Sequence, residues 1–447
     1  MRILLTTHQF FPDFAAGTEV LTRSVARELM ARGHEVRVMT GFPAIQALLE
    51  EDRFDEYEFE GIHVYRFHHA YIPMAGQTTM VELSFDNHLA ANHFNKILVG
   101  FKPDVVHFFH LNRLGTGLIE LATQAGIPAF MTATDFWVVC PTAQLLLENG
   151  KPCSGPSRDA GNCVKHLAQG SQKGVGGVLV KYVPTPWVDS LVRLTQAGLL
   201  PPYRHQAEVR ATAARLSGNV ARLNQLKKLL APNRFMRELL IRHGVAQHRI
   251  VQSAFGIDRA VNPIGTVRHP PRQPFRIGYI GTLASYKGCH VLIEAFKRLP
   301  AGRAILKIYG KQDDFPDYAR QLKQAAGRQQ SIEFCGVFPN SCIAEVLADL
   351  DVLVVPSLWY ENTPLVLYSA QAARCPVLAS DFPGISEVIA DEVNGLLFQA
   401  GKVAALTKQL LRLIEEPGLA ERLSAHARPP KSTVRYVDEL LEIWQSS

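Results

Sequence analysis

The chain has 447 residues, of which 47% are hydrophobic and 20% charged; that is enough for two domains of ordinary size and too apolar for a disordered protein. Its net charge is +6 and its pI is near 8.9, a mildly basic balance that suits anionic substrates or an anionic membrane surface, and without any Lys/Arg block it excludes nucleic acid as the expected partner. Seven cysteines, an odd number, argue against a disulfide scaffold, and no apolar run has the length of a membrane span.

The opening MRILLTT is too short for the apolar core of a signal peptide and runs straight into fold-like sequence,, so the protein is expected in the cytoplasm. Strand-like and helix-like segments then alternate, the pattern of an α/β chain with parallel sheets. Strands are predicted at 3–7, 35–40, 62–67, 105–109 and 129–134. A helix over 19–32 brings Val20, Leu21, Val25, Leu29 and Met30 near one face,. From 170 to 228 the rhythm changes to glycines, then Pro184, Pro186, Pro201 and Pro202, then a basic helical segment over 205–228. This stretch reads as a helical elaboration of a first domain spanning 1–260. The polar, proline-rich stretch over 261–274 has the composition of an interdomain linker,. A second domain over 275–430 repeats the alternation, and the tail over 431–447 reads as an amphipathic helix. Both domains are predicted to be doubly wound, with ligands outside the carboxyl ends of the strands.

The densest chemistry lies in the run VVPSLWYENTPLVLYSAQAARCPVLASD over 354–381. An apolar strand ends at Pro356-Ser357, a loop carries Glu361, and a helix opens at Thr363-Pro364, where proline suits the first helical position. The amides of Asn362, Thr363 and Leu365 then lie at a helix N-terminus, an anion site best matched to phosphate. Glu361 cannot help hold phosphate, because like charges repel. It is better suited to accept hydroxyls on whatever the phosphate carries. An acid for hydroxyls beside a helix end for phosphate describes a sugar-nucleotide site.

The same run resembles the signature of the retaining glycosyltransferases of family 4. There the first acid of an E-x7-E pattern holds the donor sugar and the second holds the ribose. Glu361 stands at the first acid and Ser369 at the second. The resemblance covers nearly the whole chain and is densest over 276–400. It implies a GT-B fold: two Rossmann-like domains facing across a cleft, the first on the acceptor side, the second on the nucleotide-sugar side. The C-terminal helix would cross back to the first domain. It implies transfer of a sugar from a nucleotide-diphosphate sugar to a saccharide or lipid-linked acceptor, in surface polysaccharide or glycolipid assembly.

Other positions take their expected roles from this resemblance. In the first loop Gly17, Glu19, Gly33, His34, Glu35 and Val36 match, with Ala16 in place of a glycine; Gly17 is expected to let the ligand approach the backbone. Lys287 matches a lysine on the diphosphate, where an ammonium acts as a point charge, while Thr282 replaces a second cation. Lys287 and Glu361 are therefore the expected catalytic residues. The strand ends IYGK and CGVF resemble base-binding edges, which brings in Tyr309, Gly310 and Val337. Residues seven or eight apart on a helix share a face, so Ser369 can flank the ligand that Glu361 touches. A missing charged hydrogen bond there costs about 1.5–3 kcal/mol and predicts a weaker or differently selective donor site, which Glu387 or a water would offset. His110 and Asp135 are the sugar or acceptor candidates; Thr134 stands where the resemblance has a histidine. No cofactor is expected beyond the donor, since Lys287 and the helix dipole carry the charge.

Cys140, Cys153, Cys163 and His166 fall in one segment, and Cys163-x-x-His166 has the spacing of a C-x-x-C pair. Three thiolates and an imidazole could bind structural zinc, or they are loop thiols without metal. The basic stretch over 204–228 is a solvated face, or a peripheral contact with anionic lipid on the inner face of the membrane. A dinucleotide oxidoreductase would need G-x-G-x-x-G after the first strand, where this chain has AAGTEV. The remaining alternative is an inactive homologue that binds a sugar nucleotide or acts as a scaffold, as Thr134, Thr282 and Ser369 together would suggest.

Overall fold

A computed structural model describes residues 1–147, 149–171, 182–264 and 270–446. Part of the expected elaboration (172–181) and of the expected linker (265–269) lies outside the described residues. The chain forms two compact units, Met1–Ala254 with Val437–Ser447 and Phe255–Tyr436.

The first unit is built on an eight-stranded sheet ordered β3-β4-β2-β1-β5-β6-β7-β8. Its strands are β1 (Arg2–Thr7), β2 (Glu35–Pro43), β3 (Phe54–Phe59), β4 (Ile62–His69), β5 (Val105–Phe108), β6 (Ala129–Thr132), β7 (Lys228–Ala231) and β8 (Ile250–Gln252). β5 and β6 are buried along their whole length, as apolar strands between two helical layers must be. β3 and β4 pair antiparallel at one edge. Their turn is Glu60-Gly61, both at positive φ, the geometry that two-residue hairpins favour. β3 is absent from the predicted strands. Its alternation FDEYEF places Glu56 and Glu58 outward, as an edge strand with one wet face requires.

The expected elaboration follows the helix Gly161–Ser171 and, among its described residues, contains the helices Thr185–Gln196 and Gln206–Leu223. The last buries one of its faces. Its Thr212, Arg215, Asn219 and Leu223 are buried. Arg215 donates to the Trp137 carbonyl and, at 3.3 Å, to that of Val139, and Asn219 donates to the Val138 carbonyl at 3.0 Å. That face of the helix is committed to the core, while Arg210, Ala214, Ser217 and Ala221 on the rest of it are exposed.

The second unit holds an all-parallel sheet ordered β11-β10-β9-β12-β13-β14. Its strands are β9 (Phe275–Ile280), β10 (Ala304–Tyr309), β11 (Ile332–Gly336), β12 (Val352–Val355), β13 (Val377–Ser380) and β14 (Leu396–Phe398). Successive side chains of β12 serve opposite faces, as the pleat dictates. Val352 and Val354 join one apolar cluster with Leu292 and Leu410, while Leu353 and Val355 join another with Leu367 and Ile385.

The final helix, Thr433–Gln445, starts in the second unit and finishes in the first. There Trp444 Nε1 donates to His107 Nδ1 at 3.3 Å, Ser253 donates to Glu439 at 2.7 Å, and Asp438 pairs with Arg32 at 2.8 Å.

Candidate functional site

In the second unit the strand order reverses beside β9, which has β10 on one side and β12 on the other. Doubly wound sheets bind ligands at such a switch point. The loops leaving β9 and β12 carry Lys287 and Glu361, and they meet. Lys287 Nζ donates to Glu361 Oε1 at 2.7 Å and to Oε2 at 3.0 Å. Oε1 also accepts the Ser357 hydroxyl at 2.6 Å and the Trp359 indole N–H at 2.8 Å. The ammonium lies 4.8 Å from the Trp359 ring centroid, a cation–π distance. Glu361 is 4% exposed, and a carboxylate so buried is tenable only with partners of this kind. Oε1 therefore serves three donors and Oε2 one, which leaves Oε2 with acceptor capacity for a hydroxyl. The sequence singles out both residues but not their pairing.

The two loops are fastened to each other by backbone. The Leu358 N–H donates to the Tyr286 carbonyl at 2.8 Å. Gly288 has φ +74°, and a Cβ there would lie 1.9 Å from the Pro356 carbonyl oxygen. Only glycine allows that approach. Beyond Glu361 the chain passes through Thr363 at φ 62°, a rare conformation for a β-branched residue. The helix begins at Leu365 with Pro364 as its N-cap, one residue later than expected. Asn362 and Thr363 are buried beside Glu361. Ser369 lies in the same helix, buried among Leu367, Tyr368 and Ala370.

At the neighbouring strand ends, the Tyr309 carbonyl accepts from the Gly281 N–H at 3.0 Å and the Gly310 N–H donates to Gly336 at 2.8 Å. These groups, expected to face a nucleobase, are engaged in joining β9, β10 and β11. Val337 beside them is 70% exposed.

In the first unit the order reverses beside β1, between β2 and β5. His8 follows β1, His110 follows β5 and Asp135 follows β6. His110 Nδ1 accepts the Asn112 N–H at 3.1 Å, so the proton is on Nε2, 2.9 Å from Asp135 Oδ2,. Burial pushes the Asp135 carboxyl up, but His110, the Trp137 N–H and His8 together outweigh it and the net direction is down. The His8 ring lies 4.0 Å from that of His110; burial, then the neighbouring His110, hold its pKa well below the ordinary value. Glu19 is 1% exposed. His8 Nε2 stands 3.7 Å from its carboxylate, too far for a hydrogen bond, and neither oxygen has a hydrogen-bond partner among the described residues. Burial raises the Glu19 pKa above its ordinary value. The loop pattern that Glu19 matches in the sequence gives no sign of its burial. Sequence reasoning also misses His8, whose one signal is its place directly after the switch-point strand. Gly17 is the exposed first residue of the helix Gly17–Ala31. The Thr134 hydroxyl donates to the Phe109 carbonyl at 2.9 Å.

Cys140, Cys153, Cys163 and His166 line one small cavity of about 20 Å³. They do not fit zinc: among the described residues no three His, Cys, Asp or Glu are disposed to hold an ion. The sulfurs turn to local partners instead. Cys140 Sγ is 3.3 Å from the Thr142 hydroxyl, and Cys153 Sγ accepts the Gly155 N–H at 3.4 Å. Burial, with the neighbouring Cys140 and Cys153, pushes the Cys163 thiol up to about 12. No helix among the described residues is long and apolar enough to cross a membrane.

Two family models match the chain. Residues 16–162 match the glycosyl transferase 4-like domain, and residues 267–429 match glycosyl transferases group 1. Among curated proteins, the amylovoran biosynthesis glycosyltransferase AmsK of Erwinia amylovora is 31% identical over 203 residues, 43% of this chain and 49% of that protein. The chain thus spans about half the length of this relative. Among solved structures, Anabaena HepE in complex with UDP and glucose has a TM-score of 0.62 at 16% identity, covering 100% of this chain and 99% of that one. Sucrose-phosphate synthase from Thermosynechococcus elongatus has a TM-score of 0.63 at 17% identity, covering 100% and 96%. The fold is GT-B, with one glycosyl transferase domain matched in each half of the chain.

Proposed function

Because both halves match glycosyl transferase domains, we propose that this protein moves a sugar from a nucleotide-diphosphate donor to a hydroxyl acceptor, with retention at the anomeric carbon. The observation that carries the reading is the Lys287–Glu361 pair at the β9/β12 switch point, beside the entrance of the helix Leu365–Ala372. The helix entrance at Asn362, Thr363 and Leu365 offers its dipole to the diphosphate. Lys287 turns from Glu361 toward the phosphate and neutralises the leaving group as it departs. Glu361 Oε2, freed of its cation, accepts a hydroxyl of the donor sugar, while Ser357 and Trp359 keep Oε1 in place. Ser369 offers the ribose one hydroxyl, and Val337 lies at the base-binding edge.

The anomeric carbon–phosphate oxygen bond breaks as the acceptor oxygen bonds to the same face. The departing diphosphate oxygen takes the proton of that hydroxyl. The protein's work is then positioning and charge stabilisation. In the first unit, Gly17 serves the donor and His110 and Asp135 serve the sugar or the acceptor, which we take to be a saccharide or a lipid-linked saccharide of surface polysaccharide or glycolipid assembly, worked on at the inner face of the membrane.

The test is transfer and donor hydrolysis across a panel of nucleotide sugars, with Glu361→Gln beside the wild type. Turnover of one donor that Glu361→Gln abolishes supports the reading. Tight binding of a nucleoside diphosphate without turnover of any donor would make the protein a binding or scaffold homologue.

A further inference from the structure

Large apolar side chains crowd the surface of one short segment. Trp187 is 72% exposed, Leu191 51%, Leu194 38% and Leu199 70%, with Tyr182 at 76% and Tyr203 at 40%. The helix Thr185–Gln196 explains the pattern. Its Val188, Val192 and Thr195 are buried and pack it onto the unit. Trp187, Leu191 and Leu194 repeat the same i, i+4, i+7 spacing one position earlier, so they form a second apolar stripe beside the packed one. The apolar arc is wider than the face the fold uses. Leu199 and Tyr203 are tied to the same helix, through the Leu199 N–H to the Leu194 carbonyl at 3.0 Å and the Tyr203 hydroxyl at 2.8 Å from that of Thr195.

The charges beside the stripe are not symmetric. Arg204 and Arg210 are exposed at its C-terminal end, and Arg210 Nε donates to the Thr195 carbonyl at 3.2 Å. Arg193, on the helix itself, is 58% exposed while paired with Asp159. The helix's one acid, Asp189, is turned inward, accepting from the Ser157 hydroxyl and the Gly161 N–H, each at 2.7 Å. Glu208 is the one other acid over 182–210.

We infer that this stripe docks the protein onto an anionic lipid bilayer, with Trp187, Leu191, Leu194 and Leu199 entering the headgroup boundary and the arginines meeting lipid phosphates. Tryptophan and leucine on one side and arginine at the rim is the composition of a helix lying in the plane of a membrane interface. The inference rests on the proposed lipid-linked acceptor and assigns its delivery to the helix Thr185–Gln196, with Arg204 and Arg210 at its rim.

The experiment is flotation of the full chain with vesicles of phosphatidylethanolamine and phosphatidylglycerol, and with vesicles of phosphatidylcholine alone. The wild type should float with the anionic vesicles and far less with the neutral ones. The double variant Trp187→Ser with Leu191→Ser should lose about tenfold or more of that partitioning, since burying even one such side chain is worth a factor of that order. Both positions are exposed, so its thermal unfolding should match the wild type. Arg204→Glu should weaken binding to the anionic vesicles alone. A wild type that stays in the dense fraction, or a double variant that floats as well as the wild type, overturns the proposal. So does a wild-type dimer in solution that the double variant converts to a monomer, because the stripe then belongs to a second copy. Nucleoside diphosphate binding, measured without vesicles on the same preparations, reports on the sugar-transfer reading independently of flotation.

Discussion

Replacing Gly288 with alanine should separate the two loops that carry Lys287 and Glu361. Two costs add. Gly288 has φ +74°, and an alanine there pays about 1–2 kcal/mol for the left-handed conformation. The new Cβ would also lie 1.9 Å from the Pro356 oxygen and 2.9 Å from its carbon. Those are backbone atoms at the exit of β12, so no side chain can rotate out of the way. Relief requires the loops to part by more than an ångström, which breaks the 2.7 Å and 3.0 Å bonds of Lys287 to Glu361. A total of about 2–4 kcal/mol is expected, within the range of steric strain plus a lost buried interaction. At about 2–4 °C per kcal/mol for a unit of this size, the melting temperature of the second unit should fall by roughly 4–16 °C. Gly302 supplies the control. It has φ +76°, and a Cβ added there would meet nothing within 4 Å, so Gly302→Ala bears the conformational cost alone. Scanning calorimetry gives the stabilities and titration with a nucleoside diphosphate gives the affinities. If Gly288→Ala costs no more than Gly302→Ala and binds nucleotide like the wild type, the close approach does not hold the site together.

Lys287→Met leaves the Glu361 carboxylate with only Ser357 and Trp359. A broken buried pair costs about 3–5 kcal/mol; because the Lys287 side chain is 22% exposed, about 1–3 kcal/mol is expected, and adding Glu361→Gln should recover part of it. Simple additivity in that double-mutant cycle would show that the two residues do not interact. Glu361→Gln alone should slow transfer by about 100-fold or more if it misplaces the donor sugar, read as initial rate at saturating donor. Acid should weaken the first unit through His107, whose burial lowers its pKa to about 3. Its Nδ1 accepts from Trp444, so the ring must stay neutral. The unfolded chain takes up that proton near pH 6.5 and the folded chain only near pH 3, so this stability is intact above the higher value and drains away below it, by about 1.4 kcal/mol per pH unit. His107→Gln should flatten the loss of melting temperature between pH 7 and pH 4.5; an unchanged slope would refute the assignment. Elemental analysis of the purified protein should find no stoichiometric zinc, and a chelator should leave its melting temperature unchanged; zinc that disappears with Cys163→Ser would contradict both.

The parallel strands are legible because their residues are apolar without interruption, as in β5 and β12. β3 escapes because half of it is acidic and faces water, and β14 because three residues carry no period. At the site, Glu361 and Lys287 are visible as types in position, at a loop after a strand and before a helix. Their pairing is not, because it depends on how closely two loops 74 residues apart in sequence approach. The same limit applies to Glu19, whose loss of solvent comes from side chains on other elements. The cysteines are the opposite case: the spacing Cys163-x-x-His166 leaves a ligand set and loop thiols both open, while the folded segment gives the sulfurs of Cys140 and Cys153 hydroxyl and backbone partners.

The partner of His107 arrives late. Trp444 follows it by 337 residues, so at about 5–20 residues per second a ribosome needs roughly 20–70 s to deliver the indole after the imidazole has emerged. Throughout that interval the nascent first unit lacks the indole that packs beside His107 and Phe130, so this part of its core closes only with the last turns of helix.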